Sequence, residues 1–257
     1  MKEIKILKYI MNDFKRNKWI IIYTIFLFLI SSGLIYSSKD FNKSIASILN
    51  VTLIIIPLVS TLFTALHYYN SIEFLQMLLT QPIKRATIFR AEFYGIAFSL
   101  SSAYLIGIML PVFIQGVNIT SILLAITGVI LTIIFTSISL FIAISIDEKI
   151  KGMGILFFSW LFFSVLFDGL IILIYFLFNN YPLEKVTIIL TMLNPVDIGR
   201  IIILMKLDLS AMLGYNGAVF MKFFGSTFGI VLCFAVCTTW ILIPSYLALR
   251  KFNRKNF

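Results

Sequence analysis

The chain has 257 residues, of which 60% are hydrophobic and only 12% charged, and it carries a formal net charge of +10. So apolar a chain has more greasy surface than one water-soluble core can hide, and bilayer hydrocarbon is the solvent that suits it. Its positive charge is split among segments between apolar runs and forms no single reading surface, which excludes nucleic acid as a partner.

No Asp, Glu, Lys or Arg occurs between Lys18 and Lys39, from Ser44 to Ile72, from Phe93 to Ile146, or from Phe223 to Leu249. A hydrocarbon core roughly 30 Å thick is crossed by about 20 apolar helical residues, so each run is long enough to span it. The Phe93–Ile146 run is long enough for two crossings, with Pro111 and Gln115-Gly116-Val117-Asn118 as the turn. A further run from Gly152 to Leu183 carries one acid, Asp168. The predicted spans are 19–38, 47–69, 93–113, 120–146, 153–178 and 226–249, which makes an all-α polytopic membrane protein with a single domain over 1–257.

Six crossings put both termini on one side. Lys and Arg are retained in the cytoplasm during insertion. Fifteen of them fall in the first segment, the two even-numbered connections and the tail, against six on the other face. Both termini are therefore expected to be cytoplasmic, in the inner membrane of a bacterium, with anionic lipid headgroups sufficient to receive the charge.

Residues 1–18 read as an interfacial helix, with Ile4, Leu7, Ile10, Met11 and Phe14 on one side and Lys5, Lys8, Lys15 and Arg16 largely opposed. A basic retention signal with incidental periodicity is the plainer reading. In the connection Asn70–Glu92, Thr80 or Gln81 is placed to cap a short helix beginning at Pro82. Ile83, Ile88 and Phe89 give it apolar contacts, while Lys84, Arg85 and Arg90 stay polar. Such a helix, about 76–91, can plug into a groove of a soluble partner; otherwise it is a loop lying on the membrane. Asp147–Gly152 is a charged turn on the same face. On the opposite face, within 179–225, Asn194-Pro195-Val196-Asp197 has the cap, proline and early acid of a helix start. Short helices there are expected to lie on or dip into the outer leaflet. The last span, 226–249, is followed by a basic tail, 250–257.

The chain contains no GxxxxGK[ST], no HExxH and no GxSxG, so neither nucleotide hydrolysis nor the common hydrolytic chemistries are expected in it. If ATP drives this protein, another polypeptide binds the nucleotide.

Four pieces, taken together, resemble a known family. They are Gln81-Pro82-Ile83-Lys84-Arg85, Lys149-Ile150-Lys151-Gly152-Met153-Gly154, Trp160 with Asp168-Gly169, and Leu193-Asn194-Pro195-Val196-Asp197-Ile198-Gly199-Arg200. The first is similar to the cytoplasmic coupling helix of type 2 ABC transporter permeases. In combination they resemble, more narrowly, the permease subunit, NosY, of the nitrous oxide reductase maturation transporter. The chain departs from many members at Arg90-Ala91-Glu92, where they place Gly-Lys. The resemblance implies a homodimer seated on a pair of ATP-binding subunits, which carry ATP and Mg. Their contacts here would be Glu73, Gln81, Pro82, Ile83, Lys84, Arg85, Arg90, Lys149 and Lys151. It also implies an extracytoplasmic solenoid protein of the NosD kind, service in copper-site maturation, and a copper chaperone as a further partner. The outer gate or docking residues would be Asp168, Asn194, Pro195, Asp197, Arg200 and Tyr215.

Asp168 is the one acid well inside a predicted span, and burying its charge there costs about 2.5–3.5 kcal/mol on insertion scales. A structural cap or ion pair and a place on a substrate pathway are both open to it. Asp197 and Arg200 are three residues apart and able to pair. Copper favours sulfur ligands, which makes Cys233, Cys237 and Met212 candidates, although cysteine and methionine are ordinary packing residues. His67 is assigned to an interfacial aromatic belt with Tyr68 and Tyr69. Other readings are an exporter of lipid, drug or peptide, and a passive membrane anchor.

Overall fold

The computed structural model describes residues 18–38, 40–178, 184–206 and 227–255. Residues 1–17 of the helix expected over 1–18, together with Met212 and Tyr215, lie outside the described residues. Among the described residues the fold is all helix: α1 Lys18–Ser37, α2 Phe41–Asn70, α3 Ile72–Leu79, α4 Arg85–Gln115, α5 Ile119–Ser145, α6 Lys149–Leu177, α7 Glu184–Met192, α8 Pro195–Lys206 and α9 Thr227–Arg254. Helices α1, α2, α4, α5, α6 and α9 are long and apolar enough to cross a membrane.

Three spans start earlier than the charge pattern predicts, at Phe41, Arg85 and Lys149 instead of 47, 93 and 153. A side-chain cap marks the first of these starts, and the other two have none. The Asp40 side chain accepts a hydrogen bond from Asn42 N at 3.0 Å, satisfying one of the donors that a helix start leaves free. Lys84 and Glu148 are extended residues from which α4 and α6 spring directly. Lys, Arg and Glu are good helix formers, so the helices run on past the hydrocarbon.

Helix α5 is the centre of the bundle, packed against α2, α4, α8 and α9. Little of α1, α6 or α9 is buried by protein, whereas α2, α4 and α5 are half buried or more. Side-chain donors knit the neighbours together through backbone carbonyls. Ser139 Oγ donates to Thr61 O at 2.6 Å, Tyr104 Oη to Leu124 O at 2.8 Å, and Ser137 Oγ to Ile241 O at 2.9 Å.

The irregular places in the spans follow the same logic. Pro111 has no N–H, so Gly107 O, four residues back, loses its helical partner. Ser31 Oγ, from α1, donates to it at 2.9 Å. The backbone around it takes one π turn, Leu105–Met109. Glycine is needed at 107 because a Cβ there would stand 2.7 Å from Leu27 Cβ and 3.0 Å from Thr24 O. Gly107→Ala should therefore push α1 off α4 and lower stability by about 1–3 kcal/mol, measured as the melting temperature of the detergent-purified protein. Gly154→Ala, where nothing lies within 4 Å, should leave it unchanged.

Candidate functional site

Three polar assemblies interrupt the apolar bundle. The first stands on the face that carries most of the basic residues. The short helix here is Ile72–Leu79, not one beginning at Pro82. Thr80 Oγ1 donates back to Met77 O at 2.8 Å, so Thr80 closes α3 and does not cap a following helix. The residue before a proline resists helical backbone, and Lys84 is extended, which leaves Thr80–Lys84 as a bare turn. Glu73, Gln76, Thr80, Gln81, Pro82 and Lys84 are exposed on it, Ile83 is half-buried, and the apolar Met77 is 55% exposed. Met77 and Gln76 were missed in the sequence because the proline drew the helix to its wrong side.

Other residues expected to meet a partner are in use within the chain. Arg85 Nη1 donates to Asn253 O at 3.1 Å, in the last turn of α9, and to Lys255 O at 2.8 Å, just past its end. A cation among helix-end carbonyls also suits the dipole. Lys149 Nζ donates to Asn70 Oδ1 at 2.9 Å, and Lys255 Nζ pairs with Asp147 at 2.6 Å. Arg90 and Lys151 remain exposed.

The second assembly is buried just behind this turn. His67 Nε2 lies 2.9 Å from Glu92 Oε1, and Ser71 Oγ donates to the same carboxylate at 3.4 Å. Ser71 is the corner between α2 and α3, so Glu92 on α4 holds that corner. His67 is thus a half-buried partner of the buried Glu92, not a member of an aromatic belt. The sequence hint was slight: an acid at the edge of a long uncharged run, and the chain's one histidine near the end of the preceding span.

The third assembly lies toward the opposite face. Helices α7 and α8 meet at 111°, an angle that turns the chain back instead of carrying it across. Its apex, Asn194, is fully buried. Asn194 Oδ1 accepts from Val196 N at 3.0 Å and so caps α8, while its Nδ2 donates to Phe163 O at 2.9 Å and Asp197 Oδ2 at 3.0 Å. Phe163 O is free to accept because α6 takes a π turn over Phe162–Leu166, in which Phe167 N bonds Phe162 O instead. Phe163 is 14 residues from the Leu177 end of α6, about 21 Å at 1.5 Å per residue, so the apex reaches roughly the middle of that helix. Asp168 follows on the next turn, within a continuous helix and not at the start of a second half-helix. Arg200 Nη1 donates to Asp168 Oδ2 at 2.8 Å and lies 3.2 Å from Asp197 Oδ1. One guanidinium thus holds two carboxylates, from α6 and from its own helix. Gly199 lets α8 approach α5, since a Cβ there would meet Thr127 Cγ2 at 2.8 Å. Asn194, Pro195 and Asp197 are buried, which withdraws them from direct docking of a partner; Arg200 and Asp168 are half-buried.

Cys233 and Cys237 are buried free thiols. No group of three His, Cys, Asp or Glu side chains able to hold a metal ion occurs among the described residues.

These features define the chain as a multi-pass helical membrane protein with a re-entrant helix pair on one face and a short exposed helix on the other. From end to end it is similar to a probable ABC transporter permease protein, NosY, of Stutzerimonas stutzeri: 22% identity over 268 residues, 95% of each chain. No family model matches. The likeness supports a permease subunit of an ABC transporter.

Removing Arg200 would leave two carboxylates facing each other, and one of them, Asp197, is buried. Arg200→Ala should cost about 3–5 kcal/mol. Asp168→Asn should cost no more than about 1 kcal/mol, because the Asp168 side chain is 35% exposed and water screens that arm of the network. Melting curves of the two variants check the ranking.

Proposed function

We propose that the chain is the transmembrane half of an ABC transporter, and that α3 with the Thr80–Lys84 turn is the seat of the ATP-binding subunit. One observation carries this reading: at the base of an otherwise apolar bundle, a short helix held at its root by Glu92 presents an exposed Met77 beside Gln76, Gln81, Pro82 and Lys84. An apolar side chain in a polar rim, on a braced element, is the build of a protein contact. Arg85 acts from behind, tying this turn to the end of α9, so a push on α3 is passed to both α4 and α9. The basic face is then cytoplasmic and the membrane is the bacterial inner membrane.

The α7–α8 pair is the moving part of this reading. Irregular backbone at membrane depth is tolerated where protein covers it, and here the cover is a side-chain network that can be remade in a second arrangement. A second copy of the chain completes the permease, and ATP and Mg stay on the partner. The finer reading, work for copper-site maturation of nitrous oxide reductase with a solenoid protein on the outer face, is supported by the likeness to NosY alone.

The double variant Met77→Glu with Lys84→Glu, which charges the apolar contact and reverses a cation beside it, should weaken retention of the co-expressed ATP-binding subunit by about 10-fold or more, with an unchanged melting temperature. Retention and ATP hydrolysis at the unaltered level would contradict the assignment.

A further inference from the structure

We propose that the groove between the basic-face ends of α5 and α9 is a binding site for the headgroup of an anionic phospholipid. The groove is a cavity of about 500 Å³ at the basic ends of both helices. Phe141 and Ile144 from α5 and Leu247 from α9 form its apolar walls, and Arg250, Lys251 and Arg254 stand at its mouth. Acyl chain below and phosphate above is the sequence of environments they offer.

The charges are arranged for an anion. Lys251 Nζ is held in place, donating to Ser145 Oγ at 2.9 Å and lying 5.2 Å from the centre of the Phe141 ring. Arg250 and Arg254 are one turn apart, exposed, and without an ion pair among the described residues. The one acid lining the groove, Asp147, is already matched by Lys255 at 2.6 Å. Three cations are therefore uncompensated around a half-apolar cleft. Arginine's planar fork grips phosphate oxygens two at a time, and basic residues at a membrane surface favour anionic lipid. Cations at a helix end also suit the dipole, but that effect needs no cavity and no apolar wall. The ATP-binding subunit is assigned to a different surface, α3 and its turn, so the site stands whether or not that assignment does.

Native mass spectrometry of the detergent-purified protein, titrated with phosphatidylglycerol or phosphatidylcholine, tests it. Phosphatidylglycerol should be retained in preference to phosphatidylcholine, and the variant Arg250→Gln with Arg254→Gln should lose about 10-fold or more of that retention. The lysine pair, Arg250→Lys with Arg254→Lys, should recover part of it, which a mere folding defect would not allow. Equal retention of the two lipids, an unaltered glutamine variant, or thermal protection by inorganic phosphate as strong as by phosphatidylglycerol would each overturn the proposal. So would loss of a co-expressed ATP-binding subunit from the glutamine variant with its lipid retention intact.

Discussion

In hydrocarbon there is no water to take up a stray carbonyl, and at two departures from regular helix, one in α4 and one in α6, a side chain arrives from a neighbour to do so. Pro111 strips a donor from Gly107 O, and Ser31 replaces it. The π turn in α6 releases Phe163 O, and Asn194 takes it. Each repair also fixes the relation of two helices: α1 to α4 in the first case, and the apex of the α7–α8 hairpin to the middle of α6 in the second. Without Asn194 the hairpin would carry an uncapped helix start and an unpaired carbonyl into the membrane, at a cost of several kcal/mol each.

Charge is handled in the same way and placed where elements meet. Glu92, His67 and Ser71 join α4 to the α2–α3 corner, and Arg200 joins α8 to α6. Buried ion pairs are weak evidence for stability, since well-packed apolar residues serve as well or better. Their worth here is positional. Each is a contact with direction and a definite partner, whereas lipid-like side chains slide past one another at little cost. The two networks stand at opposite ends of the bundle, and α5 packs against both α2 and α8 between them.

The six spans were legible because hydrophobic length is a coarse, one-dimensional signal that tertiary contacts do not alter. The cap at Asn194 was legible as well, since Asn-Pro-x-Asp has few other uses, and so was the pairing of Asp197 with Arg200 by spacing. Four things were not. The position of the short helix depended on whether Pro82 opens a helix or follows one, and the sequence of that segment supports both. The His67–Glu92 pair joins residues 25 apart on different helices, a contact that periodicity does not encode. The π turns that place Asp168 and free Phe163 O leave no mark in composition. Arg85 and Lys149 were read as free cations because nothing in a local window reveals that the end of α9 and Asn70 lie beside them.

On the proposed function, nucleotide events at the α3 turn are felt at the α7–α8 hairpin. Spin labels on cysteines introduced at Ile150, beside the root of α3, and at Leu193, both exposed, in a background with Cys233 and Cys237 replaced by Ala, report the separation of the two regions by pulsed electron resonance. In the complex with its ATP-binding subunit, the account predicts that the distance distribution shifts when ATP binds and returns after hydrolysis. One unchanging distribution, with ATP demonstrably bound, would contradict it.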